Sequence, residues 1–262
     1  MTFTFGDAGE NHVGMQMIGN IGKIGSGFDL NDLSSAKEIF ESKNLECELI
    51  CLNDLYDDEN DDALDKIEKG YLLVIRNGIQ YFINEENASS LIYKEMNAFD
   101  WDRKYKCQRR NRVLNKNARA NVCFDCDSQE PNYEECKGRI VGYDRVPYLN
   151  DIREKIVEVL GEKGRDLICE GNRYFDLKKC GIGWHGDKER RKVIAFRIGA
   201  TLPLKFKWFH RSKSFGKVCT IDLNDGDMYV MSEKAVGYDW MCRSKYTLRH
   251  SAGSDKFTKV TK

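Results

Sequence analysis

From Asp166 onward the sequence is a nearly unbroken series of short strand-like segments: LICEGNRYF, IGWHGD, KVIAFRIGA, PLKFKWFH, KVCTIDL, GDMYVMS, YTLRHSAG and KFTKV. Turn-forming residues separate them. So many short strands in one block restrict the region to an all-β sandwich or barrel.

Inside that block lies Gly181 to Lys192, GIGWHGDKERRK. His185 and Asp187 are two apart, so at a strand end their side chains share a face and can grip one ion together. The chain has four histidines, His12, His185, His210 and His250, and His250 sits in the strand-like YTLRHSAG. Two imidazoles and a carboxylate form the facial triad that suits non-haem Fe(II) and leaves positions open for substrate and O₂. Residues from separate strands at a barrel mouth could supply that set. The other candidates are weaker. His210, beside Lys207 and Arg211, reads as a surface residue, and His12 as a hydrogen-bonded loop residue. Cys123 and Cys126 make one CxxC with Cys136 following, an incomplete set for structural zinc.

With 262 residues, 41% hydrophobic and 32% charged, the chain reads as an ordinary globular protein. It has no apolar run of the roughly 18 residues that a membrane span needs, and MTFTFGDAGE does not resemble a signal peptide. Ten irregularly spaced cysteines then favour reduced thiols. The expectation is an intracellular protein, in cytoplasm or nucleus, with no membrane partner.

Net charge is zero, but the signs are segregated. Residues 1–98 carry 7 Lys/Arg against 19 Asp/Glu, and the remainder 35 against 23. Such asymmetry points to a basic part that meets polyanions and an acidic part that docks on it or screens it. We read residues 1–98 as a small acidic α/β domain of no legible role. Asp29 is its first helix N-cap, with the helix continuing to about Lys43, and Cys47 to Leu52 reads as a buried strand. Asn77-Gly78 reads as a hairpin turn between strands Tyr71 to Arg76 and Ile79 to Ile83, and Asp57 to Glu68 as a solvated acidic patch. Residues 101–119, WDRKYKCQRRNRVLNKNAR, then hold eight basic residues, Arg109, Arg110 and Arg112 among them. These could neutralise phosphates while Trp101 and Tyr105 stack on bases; the alternative is a dock for the acidic part. A helix from Pro147 to Leu160 has apolar residues at helical spacing.

Residues 120–262 resemble the AlkB-like branch of the 2-oxoglutarate and Fe(II)-dependent dioxygenases, through EGNRYFD, WHGDKE, RIGATLPLKFKWF, LNDGDMYVMS and LRHSAG. The resemblance implies an α+β protein whose residues 99–262 form a double-stranded β-helix, or jelly-roll, catalytic domain, with residues 101–119 as a basic lid. It implies His185, Asp187 and His250 as iron ligands, and Asn172 and Tyr174 as contacts to 2-oxoglutarate. Glu189, two after the metal aspartate, matches the acidic residue of the members that act on nucleobases, and Trp184 would stack on the substrate. The family's pair of arginines on the last strand is missing. Lys259 and, on the strand after HxD, Arg197 are the candidate cations for the co-substrate. The implied activity is oxidative dealkylation of N-alkylated bases in DNA or RNA, single-stranded or flipped out. A protein or small-molecule hydroxylase on the same core, and a catalytically silent nucleic-acid-binding protein, are the competing readings.

Overall fold

The computed structural model describes residues 1–56 and 67–260, so most of the acidic patch expected at Asp57 to Glu68 lies outside the described residues. Among the described residues, sixteen strands carry the fold: β1 (Thr2–Gly6), β2 (Ala8–Glu10), β3 (Met17–Gly19), β4 (Cys47–Cys51), β5 (Tyr71–Ile75), β6 (Lys104–Cys107), β7 (Arg112–Asn115), β8 (Ala120–Asp125), β9 (Ile140–Gly142), β10 (Ile168–Arg173), β11 (Gly181–His185), β12 (Val193–Arg197), β13 (Leu202–His210), β14 (Lys213–Leu223), β15 (Met228–Met231) and β16 (Tyr246–Gly253). The helices are α1 (Leu30–Glu41), α2 (Ile79–Phe82), α3 (Ala88–Met96), α4 (Pro147–Leu160), α5 (Glu233–Val236) and α6 (Asp255–Thr258).

The architecture is mixed α+β, dominated by antiparallel sheet. Eight strands run in the order β4-β5-β15-β12-β1-β10-β8-β9, and a second sheet of four runs β11-β16-β13-β14. Alternation along each central strand gives the large sheet two different faces. Phe3, Phe5, Ile194, Phe196, Met228 and Val230 point one way, into a core shared with Leu33 and Phe40 of α1 and Ile152 and Ile156 of α4. Their neighbours Leu72, Val74, Val193, Ala195 and Tyr229 point the other way and pack on Leu204, Phe206, Trp208 and Leu248 of the small sheet. Helices, large sheet and small sheet therefore form successive layers.

The helices begin where the sequence places them. Asp29 accepts from the Asn31 and Asp32 amides at 2.8 and 3.1 Å, and Asp32 returns a bond to the Asp29 amide, a capping box. Helix α4 starts on Pro147, and its own N-cap Val146 offers no side-chain acceptor. Glu95 of α3 supplies one instead, accepting from the Tyr148 and Leu149 amides at 2.8 and 3.2 Å.

Four expectations change. Residues 1–98 are no separate domain: β1 lies between β10 and β12, and β5 between β4 and β15, so the first third of the chain completes the central sheet. Tyr71 to Ile75 is a strand, but Asn77-Gly78 does not turn a hairpin. Ile79 to Phe82 is helical because Ile79, Phe82 and Ile83, at helical spacing, bury in the core, while Asp227 binds the Asn77 amide and the Arg76 guanidinium. Strand β4 is half-buried, being the sheet edge. Finally KFTKV is not a last strand. β16 ends at Gly253, with φ +102°, and the short helix α6 follows.

Candidate metal centre

Strands β11 and β16 pair so that His185 faces His250, across a register shift between Ile182 and His185. The irregularity re-aims the end of β11, the usual effect of a bulge beside a site. The chain then turns through Gly186, where a Cβ would stand 2.1 Å from the Gly237 carbonyl, so only glycine fits between the two ligand residues. The Asp187 amide donates to the Val236 carbonyl at 3.0 Å and fixes the turn.

The result is the one group of three His, Cys, Asp or Glu side chains among the described residues whose donor atoms converge: His185, Asp187 and His250, all within 4.8 Å of one another. Asp187 Oδ1 lies 3.5 Å from His185 Nε2 and 3.7 Å from His250 Nε2, too far for hydrogen bonds. His185 Nδ1 is 2.7 Å from the Gly183 carbonyl, which fixes the proton on Nδ1 and leaves the Nε2 lone pair facing the carboxylate. Burial holds both imidazoles below the ordinary histidine value, His250 down to about 3 with His185 adding to the effect. Neutral imidazole nitrogens and a carboxylate aimed at one point fit a divalent cation: that donor set could hold a metal and leave part of its coordination sphere open.

Burial alone would raise the Asp187 pKa, but Arg190 and then the two histidines more than offset it, and the carboxyl is held below its ordinary value. Arg190, 6% exposed, is the hub beneath the site. Its Nη1 donates to Asp187 Oδ2 at 3.1 Å, its Nη2 to Glu170 Oε2 at 2.7 Å and its Nε to the Ala8 carbonyl at 2.7 Å. Glu170 in turn accepts from Asn172 at 3.1 Å and Asn121 at 3.3 Å, and Asn172 Oδ1 accepts from Arg119 Nε at 2.6 Å and from Asn121. Sequence reasoning singled out Asn172 and the ligand set but not Arg190, Glu170 or Asn121. The signals were present: Arg190 is three residues past Asp187, and Glu170 two before Asn172 on the same strand face.

Strand register extends this polar floor. Arg197, Thr2, Asn172 and Asn121 stand opposite one another across β12, β1, β10 and β8, on the face turned from the helices. Tyr174 continues the alternation of Glu170 and Asn172, with the Arg197 guanidinium 5.7 Å from its ring centre. Glu189 is partly buried, and its carboxyl is pushed up to about 7 by burial and then by Asp187. It forms no ion pair with Arg190 or Lys192; its carbonyl accepts from the Gly22 amide at 3.0 Å.

Several expected substrate contacts stand elsewhere. Trp184 is adjacent to His185 on β11, so it projects from the opposite face, against Phe209, and its Nε1 donates to the Lys259 carbonyl at 3.3 Å. Lys259 is exposed, beyond α6. Trp101 is a core residue, 9% exposed, donating to the Met96 carbonyl and packing on Phe3 and Phe99. Tyr105 is stacked on His12 with ring centres 3.7 Å apart. Arg109, Arg110 and Arg112 are exposed at the turn of the β6–β7 hairpin, while Lys116 is buried and donates to Asn11. Cys123 is buried in β8 and Cys126 is exposed, and no group of cysteines converges among the described residues. Asp239 pairs with Lys234 at 2.8 Å.

No family model matches the chain. A protein of Acanthamoeba polyphaga mimivirus, itself called uncharacterized, is 42% identical over 259 residues, which is 99% of this chain and 97% of the viral one. The chain belongs to that protein's family. The relation spans both sheets and the whole candidate metal centre. Among the described residues, no helix is long and apolar enough to cross a membrane.

Proposed function

We propose that the chain is an Fe(II)- and 2-oxoglutarate-dependent dioxygenase of AlkB-like type, built on a double-stranded β-helix, that removes N-alkyl groups from nucleobases in DNA or RNA. The observation that carries this reading is the convergence of His185, Asp187 and His250 between the two sheets, with Arg190 holding the second Asp187 oxygen. Iron there would supply, with O₂ and 2-oxoglutarate, the oxidation of a C–H bond: the co-substrate leaves as succinate and CO₂, and a hydroxymethyl group on nitrogen breaks down to formaldehyde and the free base.

The residues divide that work. His185, Asp187 and His250 would hold the metal through Nε2, Oδ1 and Nε2. Gly183 orients the His185 ring by accepting its Nδ1 proton. Arg190 and Glu170 keep Asp187 ionised and directed. Asn172, Tyr174 and Arg197 line the floor on which the co-substrate lies. Glu189, with its carboxyl near neutrality, can donate to or accept from the edge of a base at the mouth. Arg109, Arg110 and Arg112 meet phosphates. All three are exposed on the hairpin, where a polyanion can reach them.

The test is anaerobic loading with Fe(II) followed by 2-oxoglutarate, looking for the metal-to-ligand absorption band of bidentate binding and, after O₂, for succinate. Absence of the band and of succinate refutes the reading.

A further inference from the structure

We propose that Arg119 and Arg197 form a two-arginine clamp for a linear dicarboxylic acid, one carboxylate on each guanidinium, in place of cations on the last strand. The inference rests on the function proposed above and assigns its co-substrate subsite.

Arg197 is 1% exposed, yet no carboxylate ion-pairs with it among the described residues. Its Nε and Nη2 donate to the Ala200 carbonyl at 2.9 and 2.6 Å, and Nη1 to Thr2 Oγ1 at 3.3 Å, all neutral oxygens. Asp225 acts on it from farther off, with its own carboxylate taken by the Gly199 amide. A guanidinium has five N–H donors, so this one retains capacity while lacking a counter-charge. Burying an uncompensated charge is costly, and a site that does so is built for an anion.

Arg119, half-buried, approaches from the other side. It precedes β8, where the Ala118 carbonyl accepts from Gly181 of the small sheet and Ala120 pairs with Arg173 of the large one. It therefore stands where the two sheets meet, on the same strand face as Asn121. Only its Nε is engaged, by Asn172, and no carboxylate pairs with it among the described residues. Because Ala120 pairs with Arg173, antiparallel register sets Arg119 opposite Tyr174.

The two arginines thus flank Tyr174. Arg119, at the start of β8, and Arg197, on β12, stand three strand spacings apart, about 14 Å from backbone to backbone. Two guanidinium groups reaching inward with a five-carbon diacid between them can bridge that separation. Arg119, where β8 meets the strand that carries His185, would take the carboxylate nearer the metal, and Arg197 the remote one. The forked donors suit carboxylates in a way that the exposed Lys259 ammonium does not.

The experiment is calorimetric titration of Mn(II)-loaded protein, which needs no turnover, with 2-oxoglutarate, glutarate and acetate. The wild type should bind 2-oxoglutarate and, more weakly, glutarate, and show no measurable acetate binding. Arg119→Gln and Arg197→Gln should each weaken 2-oxoglutarate about ten- to a hundredfold, the size of a lost charge-assisted contact, and Lys259→Ala should match the wild type. Because Arg197→Gln alters a buried position, Arg197→Lys is run beside it; the charge without the fork should recover only part of the loss. If Lys259→Ala alone weakens binding, or both arginine variants bind as the wild type does, the clamp is overturned while the dioxygenase reading stands. If Mn(II) binds but 2-oxoglutarate does not bind even to the wild type, that reading falls, and the clamp with it.

Discussion

Arg190 donates to Asp187 Oδ2 across 3.1 Å and leaves Oδ1 as the oxygen turned toward His185 and His250. The contact selects the ligand atom and keeps it ionised. Arg190→Met should therefore weaken metal binding about ten- to a hundredfold, the usual cost of losing an outer partner of a metal ligand. It should also expose Glu170 to an unpaired buried state and lower the melting temperature. Mn(II) titration followed by electron spin resonance, with thermal unfolding on the same samples, separates the two effects. Unchanged metal affinity would refute the orienting role.

His185→Ala or Asp187→Ala removes one donor from a site with three protein ligands and should abolish turnover while leaving the circular dichroism spectrum intact. Full activity in both variants would sink the metal assignment.

Glu95 gives a pH-dependence with a defined sign. Burial pushes its carboxyl up to about 7, against the bonds it accepts from Tyr148 and Leu149. The folded state then binds the proton more tightly than the unfolded state, so the contribution to stability is largest at low pH and falls as pH rises from about 4.5 to 7. Glu95→Gln should remove that slope and gain relative to the wild type by about 1–2 kcal/mol between pH 5 and 8, after allowance for solvent screening. Parallel denaturant curves at the two pH values measure it, and equal slopes would contradict it.

The polyanion contacts proposed above would lie on the β6–β7 hairpin. Replacing Arg109, Arg110 and Arg112 together by Ala should weaken single-stranded nucleic acid binding and reduce its logarithmic salt dependence by about 2, roughly 0.7 per phosphate contact. Fluorescence anisotropy across a salt series reads both quantities. An unchanged slope would move the interface elsewhere.

Deleting residues 1–98 should yield insoluble or unfolded protein, not a freed catalytic domain. The cut removes β1, β4 and β5 from the eight-stranded sheet, splitting the β15–β12 pair from β10, β8 and β9 and costing β10, β12 and β15 one partner each. Expression of residues 99–262 with gel filtration decides the matter; a monomeric folded fragment would restore the two-domain picture.

What the sequence disclosed was whatever depends on local spacing. His185 and Asp187 announce themselves by a two-residue interval, Asp29 by capping chemistry and α4 by its apolar period. His250 emerged from the scarcity of histidines. The failures share one cause, which is that partners distant in sequence decide the outcome. Asn77-Gly78 has a hairpin's signature, but Asp227, 150 residues away, holds the Asn77 amide and a helix follows. Trp101 sits in a basic run that suggests base stacking, yet Phe3 and Phe99 enclose it. Segregated charge suggested two domains because composition carries no information about which strands hydrogen-bond. Arg119 was hidden among seven other basic residues, and only its bond to Asn172 distinguishes it.

The place of β1 between β10 and β12 also has a bearing on how the protein is made. In order of synthesis β1 comes long before its two neighbours, which end at Arg173 and Arg197. At roughly 5–20 residues per second, Phe3 and Phe5 wait about ten to forty seconds for the strands that cover them. Such long-range pairing makes folding slow and leaves an apolar edge exposed meanwhile. Synthesis of this chain therefore passes through a stage in which a chaperone's grip on β1, or aggregation through it, determines the yield of folded molecules.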